Sequence, residues 1–330
     1  MGIRILASGA FTPSLTVTND DLSTIVDTND EWIRTRTGIS SRRMSCGEPT
    51  WYMGTQAAKQ AIERAGIDPL DISYIIDSTI TGDFFTPSVA CVIQREIGAK
   101  NAAAFDISAA CSGFVYGLDI ANRYLMTDDS AKYILVVANE NLSYITNFTD
   151  RSSCILFADG AAAVVLEKSN GLFTSWLGAD GCGMKYLYAK TGHVPNPFEH
   201  DAPYMDDGTD EEGPVGVLVQ NGKEVYKFAV KALPHAVRMA ADKIGMDIAD
   251  IDRFIPHQAN IRIIETAAKN LGVDLDKFYT NIDHTGNTSS ASIPIALDEA
   301  MENGVIRRGE KVCFVGFGAG LTLGAVIFEF

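Results

Sequence analysis

Residues 103–114 read AAFDISAACSGF, and the fold turns on how this stretch is parsed. Ala103–Ile107 is a short apolar run fit for a buried strand, while residues 112–125 carry Val115, Leu118, Ala121, Tyr124 and Leu125 at helical spacing. Cys111 therefore falls where a strand ends and a helix begins. Its neighbours Ala109, Ala110, Ser112 and Gly113 are small, which allows a sharp turn and a close approach by substrate. The N-terminal end of a helix favours thiolate over thiol, so the position suits a nucleophile. The plainer alternative is a buried cysteine acting as a small hydrophobe, and Cys46, Cys91, Cys154, Cys182 and Cys313 have no comparable setting.

Outward from this junction the rhythm repeats. Strand 74–78, helix Val89–Ile97, strand Ala103–Ile107, helix 112–125 and strand 133–138 alternate, which implies a parallel sheet covered by helices. Upstream lie a strand at 4–10, a helix at 20–32 entered through Thr18, Asn19 and Asp20, and a helix at 52–65 closed by Gly66. Downstream, runs 154–158 and 161–167 flank Asp159 and Gly160, a strong hairpin signal. The plan then recurs as helix 223–244, strand 252–255, helix Ile261–Leu271, strand 277–281, helix 289–303 and strands 312–316 and 323–330. Two halves of like order imply an internal duplication around one shared core. The expected division is a Cys-bearing half at 1–175, a connecting acidic region at 176–222, and a second half at 223–330. Stretch 191–219 is rich in Pro, Gly and Asp and reads as a solvated excursion, and His193 and His200 within it as loop histidines without metal-ligand spacing.

The 330 residues are 46% hydrophobic and 21% charged, the balance of a soluble globular protein with ample core. A net charge of −15, from 27 basic and 42 acidic residues, disfavours nucleic acid and anionic membrane; a phosphate-bearing partner needs a local basic patch. No apolar run reaches the roughly 18 residues of a membrane span. The opening MGIRILASGAF lacks a signal-peptide layout, and Leu6 stands where myristoylation needs Ser or Thr. Six cysteines without CxxC spacing read as reduced thiols in the cytoplasm rather than disulfides or a zinc site.

In a duplicated sheet of this kind, residues just past the carboxyl ends of strands converge on one crevice. Three such positions carry chemistry: Cys111, His257 within PHQANIR at 256–262, and Asn287 within DHTGNTSSAS at 283–292. A fourth strand end carries GFGAG at 316–320, where small residues let backbone N–H groups face a substrate oxygen. Thiol, imidazole, carboxamide and exposed amides are the parts for acyl transfer through a thioester. Taken singly, His257 reads as a core histidine and Asn287 as a helix cap. The Gly-rich run fails as a dinucleotide motif, because Leu321 stands where its third Gly belongs and a strand follows. His235 and His284 have nothing pointing to them. The coincidence of Cys111, His257 and Asn287 at equivalent strand ends favours one shared site.

Nearly end to end, the chain resembles the β-ketoacyl-acyl-carrier-protein synthases III, condensing enzymes of the thiolase superfamily. The motifs that carry the likeness are DEWI at 30–33 with RTGI at 36–39, CSGF at 111–114, TDR at 149–151, FADG at 157–160, PHQAN at 256–260, GNTS at 286–289 and the run 317–324. The resemblance implies an α/β thiolase-like fold, two duplicated βαβαβαββ halves in a five-layered αβαβα arrangement, usually a homodimer. It implies the first condensation of type II fatty-acid synthesis: a primer acyl-CoA acylates Cys111, and malonyl-acyl-carrier protein then decarboxylates and attacks that acyl group. His257 and Asn287 complete the triad, with the oxyanion hole formed by the Cys111 amide and one from Gly318, Ala319 or Gly320. Coenzyme A arrives as part of the substrate; no separate cofactor and no metal are implied. Trp32 and Arg151 match residues flanking its adenine, and Thr28, Arg36 and Asn260 match contacts along the entrance tunnel. Lys227, Gln258, Arg262 and Lys269 match the docking surface for an acidic carrier protein.

Two departures stand out. The acidic segment is longer than the family pattern. Thr86 and Leu323 replace the Phe and Trp of acetyl-preferring members, implying a roomier acyl pocket and a primer longer than acetyl or branched. Competing expectations are a related thiolase-fold enzyme of secondary metabolism, a Cys-His-Asn hydrolase, against which the lack of a CGSCW-like sequence around Cys111 speaks, and a non-catalytic acyl-binding protein.

Overall fold

The computed structural model of the chain describes residues 2–192, 209 and 214–330; His193, His200 and most of the acidic stretch lie outside them. The chain begins β1 (Gly2–Phe11), β2 (Leu15–Thr18), α1 (Asn19–Ser23), α2 (Asp30–Thr37), β3 (Ser41–Met44), α3 (Thr50–Ala65), β4 (Ile72–Ser78) and α4 (Val89–Ile97). It continues through β5 (Ala103–Ile107), α5 (Gly113–Thr127), β6 (Tyr133–Asn141), α6 (Arg151–Cys154), β7 (Asp159–Ser169), β8 (Phe173–Ala179), β9 (Leu187–Ala189) and β10 (Leu218–Gln220). The remainder is α7 (Gly222–Asp242), β11 (Arg253–Pro256), α8 (Ile261–Leu271), α9 (Ile282–Thr285), α10 (Ser292–Glu302), β12 (Lys311–Gly318) and β13 (Thr322–Glu329).

Two sheets repeat one pattern. The first runs β1-β7-β6-β4-β5 and the second β8-β13-β12-β11. In each, an outer strand and its neighbour are antiparallel, that neighbour is antiparallel to the central strand, and the central strand is parallel to the next. This is the expected duplication, seen as topology.

Apolar faces set the layers. Phe114, Val115, Leu118 and Leu125 of α5 and Ile293, Ile295 and Leu297 of α10 fill a core shared by both sheets. The outer face of the first sheet packs on α3 and α4, and that of the second on α7 and α8. The sandwich is therefore helix, sheet, helix, sheet, helix. Both faces of each sheet are covered, so strands such as β6 read as continuous apolar runs rather than alternating ones. Each fully buried Leu, Ile or Phe here stabilises by roughly 1.5–3 kcal/mol.

Caps fix the strand that leads to Cys111. The Asp106 carboxylate on β5 accepts the Val89 and Ala90 N–H groups at 2.7 and 2.8 Å, tying that strand to the start of α4. Gly66 and Gly272 close α3 and α8 in the left-handed region.

Four sequence expectations are corrected. The helix expected at 20–32 is two short ones, because Thr18 caps α1 and Asn29 caps α2 separately. Asp159 and Gly160 make no hairpin: they open the single strand β7, where the Asp159 carboxylate accepts the Ser45 and Ser143 N–H groups, each at 2.8 Å. Residues 277–281 make one bridge, from Phe278 to Phe254, in place of a strand. The first half does not extend to 175, since Phe173–Ala179 pairs with β13 as the edge of the second sheet.

Candidate active site

The turn that carries Cys111 is built by close approach. Ala110 takes φ +45°, a left-handed value that a non-glycine residue holds only where its surroundings impose it. A Cβ on Gly113 would stand 1.7 Å from Ser78 Oγ, and one on Gly318 would stand 2.5 Å from the Cys111 nitrogen. Glycine is therefore required where the ends of β4 and β12 press on the turn. Helix α5 begins at Gly113, two residues later than a direct N-terminal placement of Cys111, which sits in a short 3-10 turn. Burial pushes the thiol up to about 12, and the nearby Glu140 charge adds to this. Burial thus opposes the thiolate that a helix start favours.

His257 follows β11 directly. Its N–H donates to the Val315 carbonyl at 2.8 Å, and its ring packs edge-on against Phe317. Ser292 Oγ lies 2.6 Å from Nδ1 and accepts the Gln258 N–H at 3.2 Å. The Ser292 hydroxyl can donate to Nδ1 or accept from it, and when it donates the ring proton stands on Nε2, the nitrogen left without a protein partner among the described residues. Burial lowers the imidazole pKa to about 3, so the ring is neutral.

Asn287 is pinned at both backbone atoms, with N–H donating to Leu156 O and carbonyl accepting from Ala158, each at 2.9 Å. Its Oδ1 accepts the Ser289 N–H at 2.9 Å, which leaves the Nδ2 hydrogens as donors. Cys111, His257, Asn287 and Gly318 share one cavity of about 430 Å³. Phe157 and Phe317 line it too, and Trp32, Arg36 and Asn260 also border it. Ala319 and Gly320 border a second cavity, of about 670 Å³, on the Ala109 and Ala110 side of the turn.

The entrance residues cluster around Trp32. The guanidinium carbons of Arg36 and Arg151 stand 4.3 and 4.5 Å from its ring centroid, and Arg151 Nη1 donates to the Asp27 carbonyl at 2.7 Å. Thr28 Oγ1 is enclosed with no hydrogen-bond partner. The Asn260 side chain caps α8 and donates to the Arg36 carbonyl at 3.0 Å. Lys227, Arg262 and Lys269 are exposed on α7 and α8, with Lys227 paired to Glu224.

Three expected positions lie apart from both cavities. Gln258 is fully buried, bonded to the Pro256 carbonyl and the Asn281 N–H, and offers no docking surface. Thr86 is exposed and borders neither cavity. Leu323 packs in the core under α7 instead of lining a pocket. Conversely, Glu140, Ser289 and Ser292 escaped the sequence reading; the run SSAS at 289–292 was the one signal, and it resembled a plain helix start.

Residues 105–181 match the family described as 3-oxoacyl-[acyl-carrier-protein (ACP)] synthase III, and residues 241–330 match its C-terminal counterpart. A β-ketoacyl-[acyl-carrier-protein] synthase III of Clostridium acetobutylicum is 46% identical over 99% of this chain and 98% of its own length. The crystal structure of 3-oxoacyl-[acyl-carrier-protein] synthase III from Aquifex aeolicus aligns over 100% of both chains with a TM-score of 0.90 and 40% identity. A priming β-ketosynthase from a polyketide pathway aligns over 99% of this chain and 96% of its own, at 36% identity and a TM-score of 0.87. Matched along its whole length and folded in the same five layers, the chain belongs to the β-ketoacyl-[acyl-carrier-protein] synthase III family of condensing enzymes.

Proposed function

We propose that Cys111 accepts an acyl group from an acyl-CoA and that the enzyme condenses it with a malonyl group delivered on acyl carrier protein. The observation that carries this is a pair of side chains each engaged on one side: Ser292 Oγ occupies His257 Nδ1 at 2.6 Å, and the Ser289 N–H holds Asn287 by its oxygen. With the Ser292 hydroxyl donating, His257 presents Nε2–H and Asn287 its Nδ2 hydrogens. Decarboxylation of a malonyl thioester puts negative charge on the thioester oxygen. A neutral imidazole N–H and a carboxamide N–H stabilise that charge as it develops, where a carboxylate would oppose it. The Cys111 amide and Gly318 supply the corresponding site for acyl transfer. Loss of carbon dioxide drives the carbon–carbon bond, so no separate cofactor enters.

Trp32, Arg36 and Arg151 receive the nucleotide end of coenzyme A. A ring between indole and guanidinium needs roughly 7 Å, two van der Waals contacts, so Arg151 swings off Trp32 when adenine inserts. Arg262 and Lys269, with Lys227, meet the acidic carrier protein and supply the positive patch that a chain of net charge −15 requires. The apolar cavity beyond Ala110 gives room for an acyl chain, with Phe85 at its rim. The assembly is a homodimer.

The test is malonyl-carrier decarboxylation by His257→Ala and Asn287→Ala variants. Each loses rate on the order of 10²–10³ while Cys111 still acylates. Decarboxylation at the wild-type rate in both variants overturns the reading.

A further inference from the structure

Glu140, near the end of β6, is fully buried and plays no part in the mechanism above. Its Oε2 accepts the Ile80 N–H at 3.1 Å and the Thr81 and Thr79 hydroxyls at 2.8 and 3.4 Å. Its Oε1 faces Ser290 Oγ at 3.1 Å, and that hydroxyl has a second acceptor in the Ser78 carbonyl at 3.0 Å. Ser290 can therefore donate to an ionised Glu140, or donate to Ser78 and accept from a protonated one. Both charge states of the carboxyl are housed without moving a heavy atom.

Between this carboxyl and the nucleophile stands Ser289. Its hydroxyl is enclosed and has no hydrogen-bond partner among the described residues, yet lies close enough to the Cys111 thiol and the Glu140 carboxyl to act on both, opposing the rise that burial imposes on each. Its backbone is held at φ +52°, a strained value for serine. The titratable groups that feel Glu140 are Cys111 and Asp77, the latter buried, held by Asn139 Nδ2 at 2.6 Å and raised well above the carboxylate range. No cation contributes to the environment of Glu140 among the described residues.

Resting on the acyl-transfer reading, we propose that Glu140 takes the Cys111 proton through the Ser289 hydroxyl during acylation and returns it when condensation frees the sulfur. In acylation the Cys111 S–H bond breaks, its proton passes to Ser289 Oγ as the Ser289 proton passes to Glu140, and the sulfur bonds the acyl carbon. Coenzyme A leaves as thiolate and takes a proton from water. In condensation the malonyl group loses carbon dioxide, the enolate carbon bonds the acyl carbon, and the Cys111 thiolate departs. The proton on Glu140 then returns by the same path, regenerating thiol and carboxylate. One solvent proton is consumed per turnover, as decarboxylation requires. Burial raises Glu140 to about 7, which matches a group that must both take and release a proton.

The experiment is single-turnover acylation of Cys111 by acetyl- and butyryl-CoA across pH, read by intact mass, beside malonyl-carrier decarboxylation. In the wild type the acylation rate rises with pH through about 7, as Glu140 ionises. Glu140→Gln loses that inflection and on the order of 10² in rate at neutral pH. Its decarboxylation stays within about threefold, since that step moves no Cys111 proton. Glu140→Asp restores the inflection, and Ser289→Ala slows acylation by about tenfold or more. Glu140→Gln with wild-type rate and inflection overturns the proposal, as does a parallel loss of both steps with the inflection kept, which marks a structural role. If Glu140→Gln does not fold, undiminished acylation by Ser289→Ala overturns it. A wild-type enzyme that forms no acyl adduct overturns the functional reading as well.

Discussion

Ser292 decides which nitrogen of His257 faces the cavity, and it does so through one 2.6 Å contact. Removing the hydroxyl frees the ring to adopt the other tautomer or to rotate, so Ser292→Ala should slow malonyl decarboxylation by roughly tenfold to a hundredfold while leaving Cys111 acylation intact. Kinetics of the two half-reactions, measured separately, check this. The pH dependence follows from burial. His257 has its pKa lowered to about 3, so the imidazole stays neutral as pH falls through the usual histidine range, and decarboxylation shows no inflection near 6.5. An inflection there, present in the wild type and absent in His257→Gln, would show that the ring charges in the working enzyme. At this scale the sequence was legible only for residues whose chemistry is intrinsic. Cys111, His257 and Asn287 announced themselves by type and position. Ser292 and Glu140 did not, because a serine or a glutamate acquires its role from what the fold places against it.

The strand ends are where the elements do the positioning. Gly318 closes β12 against the Cys111 amide, with no room for a Cβ. Gly318→Ala should destabilise the fold by roughly 1–3 kcal/mol by overpacking and abolish most acylation by pushing the turn out of line, checked by denaturant melts and acyl-adduct formation. Alternation of strand and helix was readable because apolar period and caps are local, so α4, β5 and α8 fall where the sequence put them. The misreadings are tertiary. Asp159 and Gly160 have hairpin chemistry, but the Asp159 carboxylate is spent on two distant amides and the strand runs on. Leu323 matches a pocket position of the family, yet its strand turns it into the core beneath α7. Leu323→Trp therefore reports on core overpacking before it reports on chain length.

Across the whole molecule, duplication explains why the site is single although the fold is double. The first half contributes the Cys111 turn and the second His257, just past β11, and Asn287, just past the short helix α9 rather than a strand, meeting where α5 and α10 share a core. Charge works at the same scale. In a chain of net charge −15, reversing the exposed Arg262 and Lys269 should raise KM for malonyl-carrier protein by about tenfold or more, weaken its salt dependence, and leave acyl-CoA turnover unchanged. Steady-state kinetics at two salt concentrations check it. Phe85 is 95% exposed beside the second cavity; if the proposed homodimer covers it, Phe85→Asp shifts the sedimentation profile toward monomer, and an unchanged profile places the contact elsewhere. The described helices include none long and apolar enough to cross a membrane.

The most direct measurement is intact mass after incubating the protein, and its Cys111→Ala variant, with acetyl-, butyryl-, isobutyryl- and octanoyl-CoA. The account predicts a gain of one acyl group in the wild type alone, discharged into a β-ketoacyl product when malonyl-acyl-carrier protein is added. No adduct with any of the four, or an adduct that persists in Cys111→Ala, would contradict it.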